Sequence, residues 1–204
     1  ANFSEHISGY VLSNWLVSGK ASIRYKIAKN QNAKELPSCN YISRDFGIKY
    51  DSNFLTAEDS KYCFDIAKKG YDIFYANDVI VYHHRRNSIL KHIKQMYVYA
   101  RDIAWLTKKD FSKDELYYMI PSLGNFIFTF GLIGLIYGIY SKIILLSFSL
   151  YFILMFLESL NKNIHTSIIV FFIGIITHFS YGIGWIKGIL TSPEKNEKVS
   201  WNSR

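Results

Sequence analysis

The sequence predicts an α/β domain followed by an all-α transmembrane block, and three observations carry that prediction. Charge divides unevenly along the 204 residues: residues 1–118 hold 18 Lys/Arg and 13 Asp/Glu, whereas residues 119–186 hold only Lys142, Glu158 and Lys162. The apolar block resolves into three segments, residues 121–140, 143–157 and 164–186, and a bilayer core takes about 20 mostly apolar residues as helix. The first and third reach that length, and the second does so only with Ser141, Lys142 and Glu158 at the interface. The charged part, finally, mixes helical periodicity with short β-type runs closed by turn residues. The expected organisation is an α/β domain over residues 1–118 ending in an interface helix, a membrane block over residues 119–190 with two or three spanning helices, and a polar tail over residues 191–204.

Taken in order, residues 4–28 carry Ile7, Val11, Leu12, Trp15 and Leu16 at helical spacing, with Ser4 as the N-cap. Residues 29–34 are polar and loop-like, and Tyr50-Asp51-Ser52-Asn53-Phe54 is a polar loop ending in an aromatic. Residues 57–69 form a second helix with Tyr62, Ile66 and Ala67 on one face, Lys68 and Lys69 at the end that suits cations, and Gly70 as its C-cap. Residues 71–75 and 79–82 read as strands split by the turn residues Asn77-Asp78. Asn87 or Ser88 caps a long helix through about Thr107, with Ile89, Ile93, Tyr97, Ala100 and Ala104 on one face.

The bulk numbers narrow the function class. The formal net charge is +8, and a basic excess beside a membrane suits a domain resting on anionic lipid. Nucleic acid is disfavoured, because the basic residues are dispersed and no binding motif accompanies them. Cys39 and Cys63 lack CxxC spacing and read as ordinary buried thiols in a reducing compartment. A small transporter or channel is disfavoured because the apolar segments hold almost no ionisable groups, His165 and His178 being the intramembrane candidates.

Chemistry concentrates at Glu58-Asp59, an acidic pair at the start of a helix. Free backbone N–H groups and the positive end of the dipole favour the ionised form there, which suits a base. Taken alone, the pair reads first as N-terminal helix capping and only second as catalysis. About two dozen residues on, a strand ends in His83-His84-Arg85-Arg86: neutral imidazole can bind a metal ion, and paired arginines can grip phosphate with forked hydrogen bonds. Alone, this run reads equally as a solvated basic patch. Gln95 and Arg101 follow on the long helix, six residues apart and off a common face.

The order of these features resembles the second half of the family 2 glycosyltransferases of the GT-A fold, in particular the bacterial exopolysaccharide (succinoglycan-type) branch. The sequence runs through Leu36-Pro37-Ser38-Cys39-Asn40, Arg44, Tyr50-Asp51, Ala57-Glu58-Asp59, Gly70-Tyr71, Val81-Tyr82-His83-His84-Arg85-Arg86 and Gln95. The stretch His178-Phe179-Ser180-Tyr181-Gly182-Ile183-Gly184-Trp185-Ile186-Lys187-Gly188 looks like the close of that branch. The resemblance implies the C-terminal half of a GT-A nucleotide-diphospho-sugar transferase domain, inverting, with Asp59 as catalytic base and Glu58 supporting the acceptor. It implies Asn40 and Arg44 on the binding cleft, Arg85 and Arg86 toward the leaving diphosphate, His83 toward a divalent metal (Mg or Mn), and Gln95 and Arg101 near the site. The run Gln95-Met96-Tyr97-Val98-Tyr99 departs from the Gln-x-x-Arg-Trp motif of processive relatives, and no Asp-x-Asp occurs, so the donor-binding half and the main metal carboxylates are expected to be absent from this chain. The implied partners are a nucleotide sugar donor, a lipid-linked or glycan acceptor, and membrane lipid. Lys108, Lys109 and Lys113 before the first apolar segment place the catalytic part on the cytoplasmic side of the cell membrane. The alternative is a non-catalytic membrane anchor or assembly subunit derived from such a transferase.

Overall fold

The computed structural model describes residues 1–25, 29, 31–33, 47–50, 54, 56–78, 80, 84–109, 118–137, 142–160 and 163–193. Among them the chain forms α1 (Phe3–Ser13), α2 (Trp15–Ser18), α3 (Glu58–Lys68), α4 (Ile89–Lys109), α5 (Ile120–Ile136), α6 (Lys142–Ser159) and α7 (Ile164–Leu190), with a 3-10 segment at Gly19–Tyr25 and two three-residue strands, β1 (Gln31–Ala33) and β2 (Ile73–Tyr75).

The expected α/β class is overturned. Helix accounts for 77% of the described residues, and their β structure is one antiparallel ladder pairing Gln31 with Tyr75 and Ala33 with Ile73. A GT-A domain needs a parallel sheet buried on both faces by crossover helices. Here β2 leaves Phe74 59% exposed, and a two-stranded ladder is too small to organise a core. The apolar faces of the helices pack on one another instead. Of the expected strands, residues 71–75 survive as Ile73–Tyr75, while residues 79 and 81–82 lie outside the described residues.

Local sequence explains where the helices start and stop. The N-cap of α1 is Asn2 rather than Ser4. Its side chain accepts from the Glu5 N–H at 2.9 Å while Glu5 accepts from the Asn2 N–H, a capping box. The single helix expected over residues 4–28 breaks at Asn14, whose backbone is extended and whose side chain caps α2 by accepting from the Val17 N–H. Partners far along the chain hold that break. The Asn14 amide donates to Ser159 Oγ at 3.2 Å, and the Glu158 carboxylate accepts from the Trp15 and Leu16 N–H groups at 2.6 and 3.1 Å. Glu158, expected at the membrane interface, thus grips the α1–α2 turn. Helix α3 follows the expected range and ends at Gly70, whose φ of 84° only glycine adopts without strain. Its buried residues include Ser60, Lys61 and Cys63 beside Tyr62 and Ile66, whereas Ala67 is exposed. In α4 the Ser88 carbonyl accepts from the His92 N–H at 3.0 Å, one turn in.

The core is a parallel seam of α4 along the C-terminal half of α7. His92 lies by Thr177, Ile93 by Ser180, and Trp105 by Thr191. Between these pairs the backbones come close: a Cβ added at Gly184 would fall on the Tyr97 carbonyl oxygen, and one at Gly188 on that of Arg101. The stretch from His178 to Gly188 is therefore a helix-docking surface. Ala100, Ala104 and Trp185 cluster at its centre, with Met119 and Tyr181 against them. A second cluster joins Ile7 and Val11 of α1 to Val170 of α7, with Ile89 packed on it.

Helices α5 and α6 complete a bundle with α7 through edge-on aromatic contacts: Phe128 with Phe148 and Phe179 at 5.2 and 5.9 Å, and Phe171 with Phe156 at 5.5 Å. Among the described residues one helix, Ile164–Leu190, is long and apolar enough to cross a membrane. The segment expected over residues 121–140 yields a helix of 17 residues, about 25 Å long and short of a full hydrocarbon core.

Candidate functional site

Glu58 and Asp59 occupy the first turn of α3. The N-cap residue Ala57 offers no side-chain cap, so the two acids themselves stand at the N–H groups of the helix terminus. Both are half-buried, and Asp59 Oδ1 accepts from the Ser60 N–H at 2.8 Å. Glu58 Oε2 is buried with no hydrogen-bond partner among the described residues. Burial, first, and the neighbouring charges of Asp59 and Asp102 raise the Glu58 carboxyl above the usual carboxylate range. Tyr50 stacks on Tyr62 at 4.8 Å, and desolvation and the nearby acidic groups Tyr62, Cys63, Asp59 and Glu58 raise its phenol.

The turn is fixed to α4 by a buried carboxylate. Asp102 is 0% exposed. Its Oδ2 accepts from the Thr56 backbone N–H at 3.1 Å and from the Thr56 hydroxyl at 2.9 Å. Its Oδ1 lies 3.1 and 3.0 Å from two guanidinium nitrogens of Arg101, whose charge it compensates. Arg101 also lies over the Trp105 ring at 4.3 Å. Between Thr56 and Glu58, Ala57 is fully buried against Phe54, Ile103, Trp105 and Leu106. Ser60 and Tyr99 place their hydroxyls 3.4 Å apart.

The remaining expected site residues separate into two groups. Asn40, Arg44 and His83 lie outside the described residues. His84, Arg85, Arg86 and Gln95 gather at the N-terminal end of α4: His84 is exposed and reaches Glu5 at 3.3 Å, Arg85 lies over the Tyr25 ring at 4.1 Å, and Arg86 donates to Gln95 at 3.3 Å. Asp102 stands 13 residues beyond Ile89, about 20 Å along the helix, so the start of α4 that holds the basic cluster is separated from the turn that holds the acidic pair. Of the expected binding residues, Arg101 joins the acidic pair, and it does so through Asp102.

Asp102 and Thr56 were not legible as site residues. An Asp beside an Arg on an amphipathic helix reads as solvated charge, and nothing local marks the 46-residue link to Thr56. The divalent metal that the resemblance implies finds no ligand set here. Among the described residues no group of three His, Cys, Asp or Glu side chains converges to hold an ion, and Asp102 has both oxygens engaged. His83, the residue of this chain expected toward the metal, lies outside the described residues, and no step below is routed through a metal. Compared with known proteins, the chain matches no family model, no curated protein and no solved structure.

Proposed function

We propose that this chain carries the acceptor side of an inverting glycosyltransferase that works at the cytoplasmic face of the cell membrane. Its donor would be a nucleotide-diphospho-sugar, and its acceptor a lipid-linked sugar or a growing polysaccharide. The observation that carries the reading is the acidic pair itself: two carboxylates in one helix turn, in unequal environments, one with an oxygen that the described protein groups leave unmatched. Asp59 takes the proton from an acceptor hydroxyl as that oxygen attacks the anomeric carbon. The new C–O bond forms on the face opposite the leaving diphosphate, whose bond to the same carbon breaks. Glu58, which holds a proton more readily than an ordinary carboxyl, orients the acceptor by hydrogen bonding. Unequal environments for paired acids are the usual basis for such a division of roles.

The exposed apolar surfaces of α5 and α6 and the length of α7 support placement at a bilayer, which would raise the local concentration of a lipid-linked acceptor. Lys108 and Lys109 at the end of α4 suit the cytoplasmic side.

The test is sugar transfer from a panel of radiolabelled nucleotide sugars in membranes from cells that make the protein. Asp59→Asn is expected to lower the rate about 10²–10⁴-fold, the range of general-base catalysis, with the protein still in the membrane fraction. Normal transfer by Asp59→Asn removes the base role. A second reading, a non-catalytic anchor or assembly subunit, is favoured by the separation of the basic cluster from the acidic pair along α4. Intact assembly of the glycan by Asp59→Asn cells would select it.

A further inference from the structure

Resting on the reading of Glu58-Asp59 as the acceptor-side acids, we propose that Asp102 is a positioning residue that sets the place of this pair by clasping Thr56, with Arg101 as its counter-ion. Four observations converge on this role. Asp102 is fully buried, on a helix whose neighbouring residues are core. A buried carboxylate is retained only when its lone pairs are matched, and here each oxygen is engaged. One oxygen takes both donors of Thr56, the backbone N–H and the hydroxyl. Thr56 stands two residues before Glu58, and the intervening Ala57 is locked in the cluster of Phe54, Ile103, Trp105 and Leu106. The other oxygen faces Arg101, which is held over Trp105.

The geometry gives the clasp a defined task. Helix α3 enters with an N-cap alanine that makes no side-chain cap, which leaves the angle of its first turn open to constraint from α4. Two hydrogen bonds from Thr56 to one carboxylate oxygen, plus the buried Ala57 methyl, supply that constraint from α4. Helix α4 is itself fixed on α7 by the contact of Gly188 with the Arg101 backbone. The acidic pair is thereby referenced to the helix bundle rather than to its own loop. Asp102 does not touch substrate in this role. It acts through Thr56, and Arg101 neutralises it instead of binding a phosphate.

The experiment combines amide exchange with kinetics on the protein in its own membranes, using whichever nucleotide sugar in the panel supports transfer. Thr56→Val removes the hydroxyl donor without leaving a buried charge unpaired. It is expected to speed exchange of the amides over residues 56–60 about tenfold, the scale of one hydrogen bond to a charged group, and to lower kcat by a similar factor with KM for the donor unchanged. Thr56→Ser, which keeps both donors, is expected to restore both values. Asp102→Asn, which keeps an accepting oxygen, should fall between native and Asp102→Ala. Peptides of α7 report whether the fold is intact and should exchange as in the native protein. Unchanged exchange over residues 56–60 in Thr56→Val and Asp102→Ala overturns the clasp, and faster exchange with native kcat overturns its positioning role. Exchange is read without reference to chemistry, so a failed clasp is told apart from a failed base reading, in which Asp59→Asn transfers normally; that outcome also ends the positioning role.

Discussion

The α4–α7 seam and the α5–α6 hairpin meet in one molecule, yet they differ in the surface each leaves outside. Along the seam, glycines let backbones touch and directional bonds set the register. Ser180 donates to the Ile93 carbonyl at 2.7 Å, Trp105 donates to Thr191 at 3.2 Å, and Lys108 donates to the Ile189 and Thr191 carbonyls at 2.9 and 2.7 Å. A shift of one residue would break every one of these at once. The hairpin differs in the surface it turns outward. Phe126, Phe130, Ile136, Ile143, Leu146 and Ile153 are exposed around both helices, and the contacts inward combine phenylalanine edges with a few hydrogen bonds, from Ser122 to the Gly182 carbonyl at 3.2 Å, from Asn125 to the His178 carbonyl at 3.0 Å and from Tyr151 to the Leu16 carbonyl at 3.1 Å. Helices apolar on all sides are stable only where the surroundings are apolar too. Shape and hydrogen bonding within the chain place both regions, and the hairpin in addition carries an apolar outer surface that constrains the solvent around it.

Breaking the seam at its closest approach carries the largest expected effect on stability. Gly184→Val forces a side chain into the Tyr97 carbonyl, where backbone, not a flexible side chain, must move. The expected loss is about 3 kcal/mol, the upper end for overpacking, read as loss of cooperative unfolding in detergent. Unchanged unfolding would mean that the backbones do not meet there.

Acid acts on the same seam at its other end. His92 is fully buried, and its hydrogen bonds run in one direction. Thr177 donates to the Ile173 carbonyl, so its oxygen accepts from His92 Nε2–H at 3.1 Å, and His92 Nδ1 in turn accepts from the Ser8 hydroxyl at 2.9 Å. Burial, and secondarily the charge of Arg85, push the ring down to about 4. The unfolded imidazole binds its proton nearer 6.5, so stability is fully present above that pH and falls as pH drops toward 4. The loss amounts to about 3 kcal/mol by linkage. Unfolding measured between pH 7 and 4 checks this, and His92→Gln, which takes no proton, should flatten the dependence even if it lowers stability at neutral pH.

The joint between the two regions is expected to respond less. Glu158→Ala removes the acceptor of the Trp15 and Leu16 N–H groups. Since that turn is partly open to solvent, the loss is expected near 1 kcal/mol, with faster amide exchange confined to α2 and the end of α1. The smallest effect belongs to the hairpin surface. Leu146, 72% exposed, changed to Ser should alter unfolding in detergent by less than about 0.5 kcal/mol while weakening partition into lipid vesicles. A large loss in detergent would show that Leu146 is buried in the protein, and the contrast between the two regions would fall.

Much of the helical content was legible because its causes are local. The charge gap after residue 118, the 3.6-residue spacing in α4, and the acids opening α3 with Gly70 closing it are written within a few turns of sequence. The acidic pair was legible for the same reason, as two carboxylates at a helix start. The break at Asn14, the fold class and the clasp on Thr56 were not. Asn14 sits in an uninterrupted helical pattern, and what stops the helix is Ser159 and Glu158, more than 140 residues away. The expected strand over residues 71–75 has β-type residues, but among the described residues it pairs over three positions, since pairing depends on what lies alongside. Asp102 has no local mark in the sequence, because its burial and its bonds to Thr56 arise only when distant segments meet. By itself, then, the sequence determined which segments are helical, where charge ends and apolar surface begins, and which turn holds the acids, because periodicity, capping and composition act over neighbouring residues. The tertiary structure alone decided that α4 lies in the groove of α7, that Gly184 and Gly188 mark a backbone contact, and that Asp102 holds the acidic turn, because burial and long-range hydrogen bonds exist only once distant segments meet.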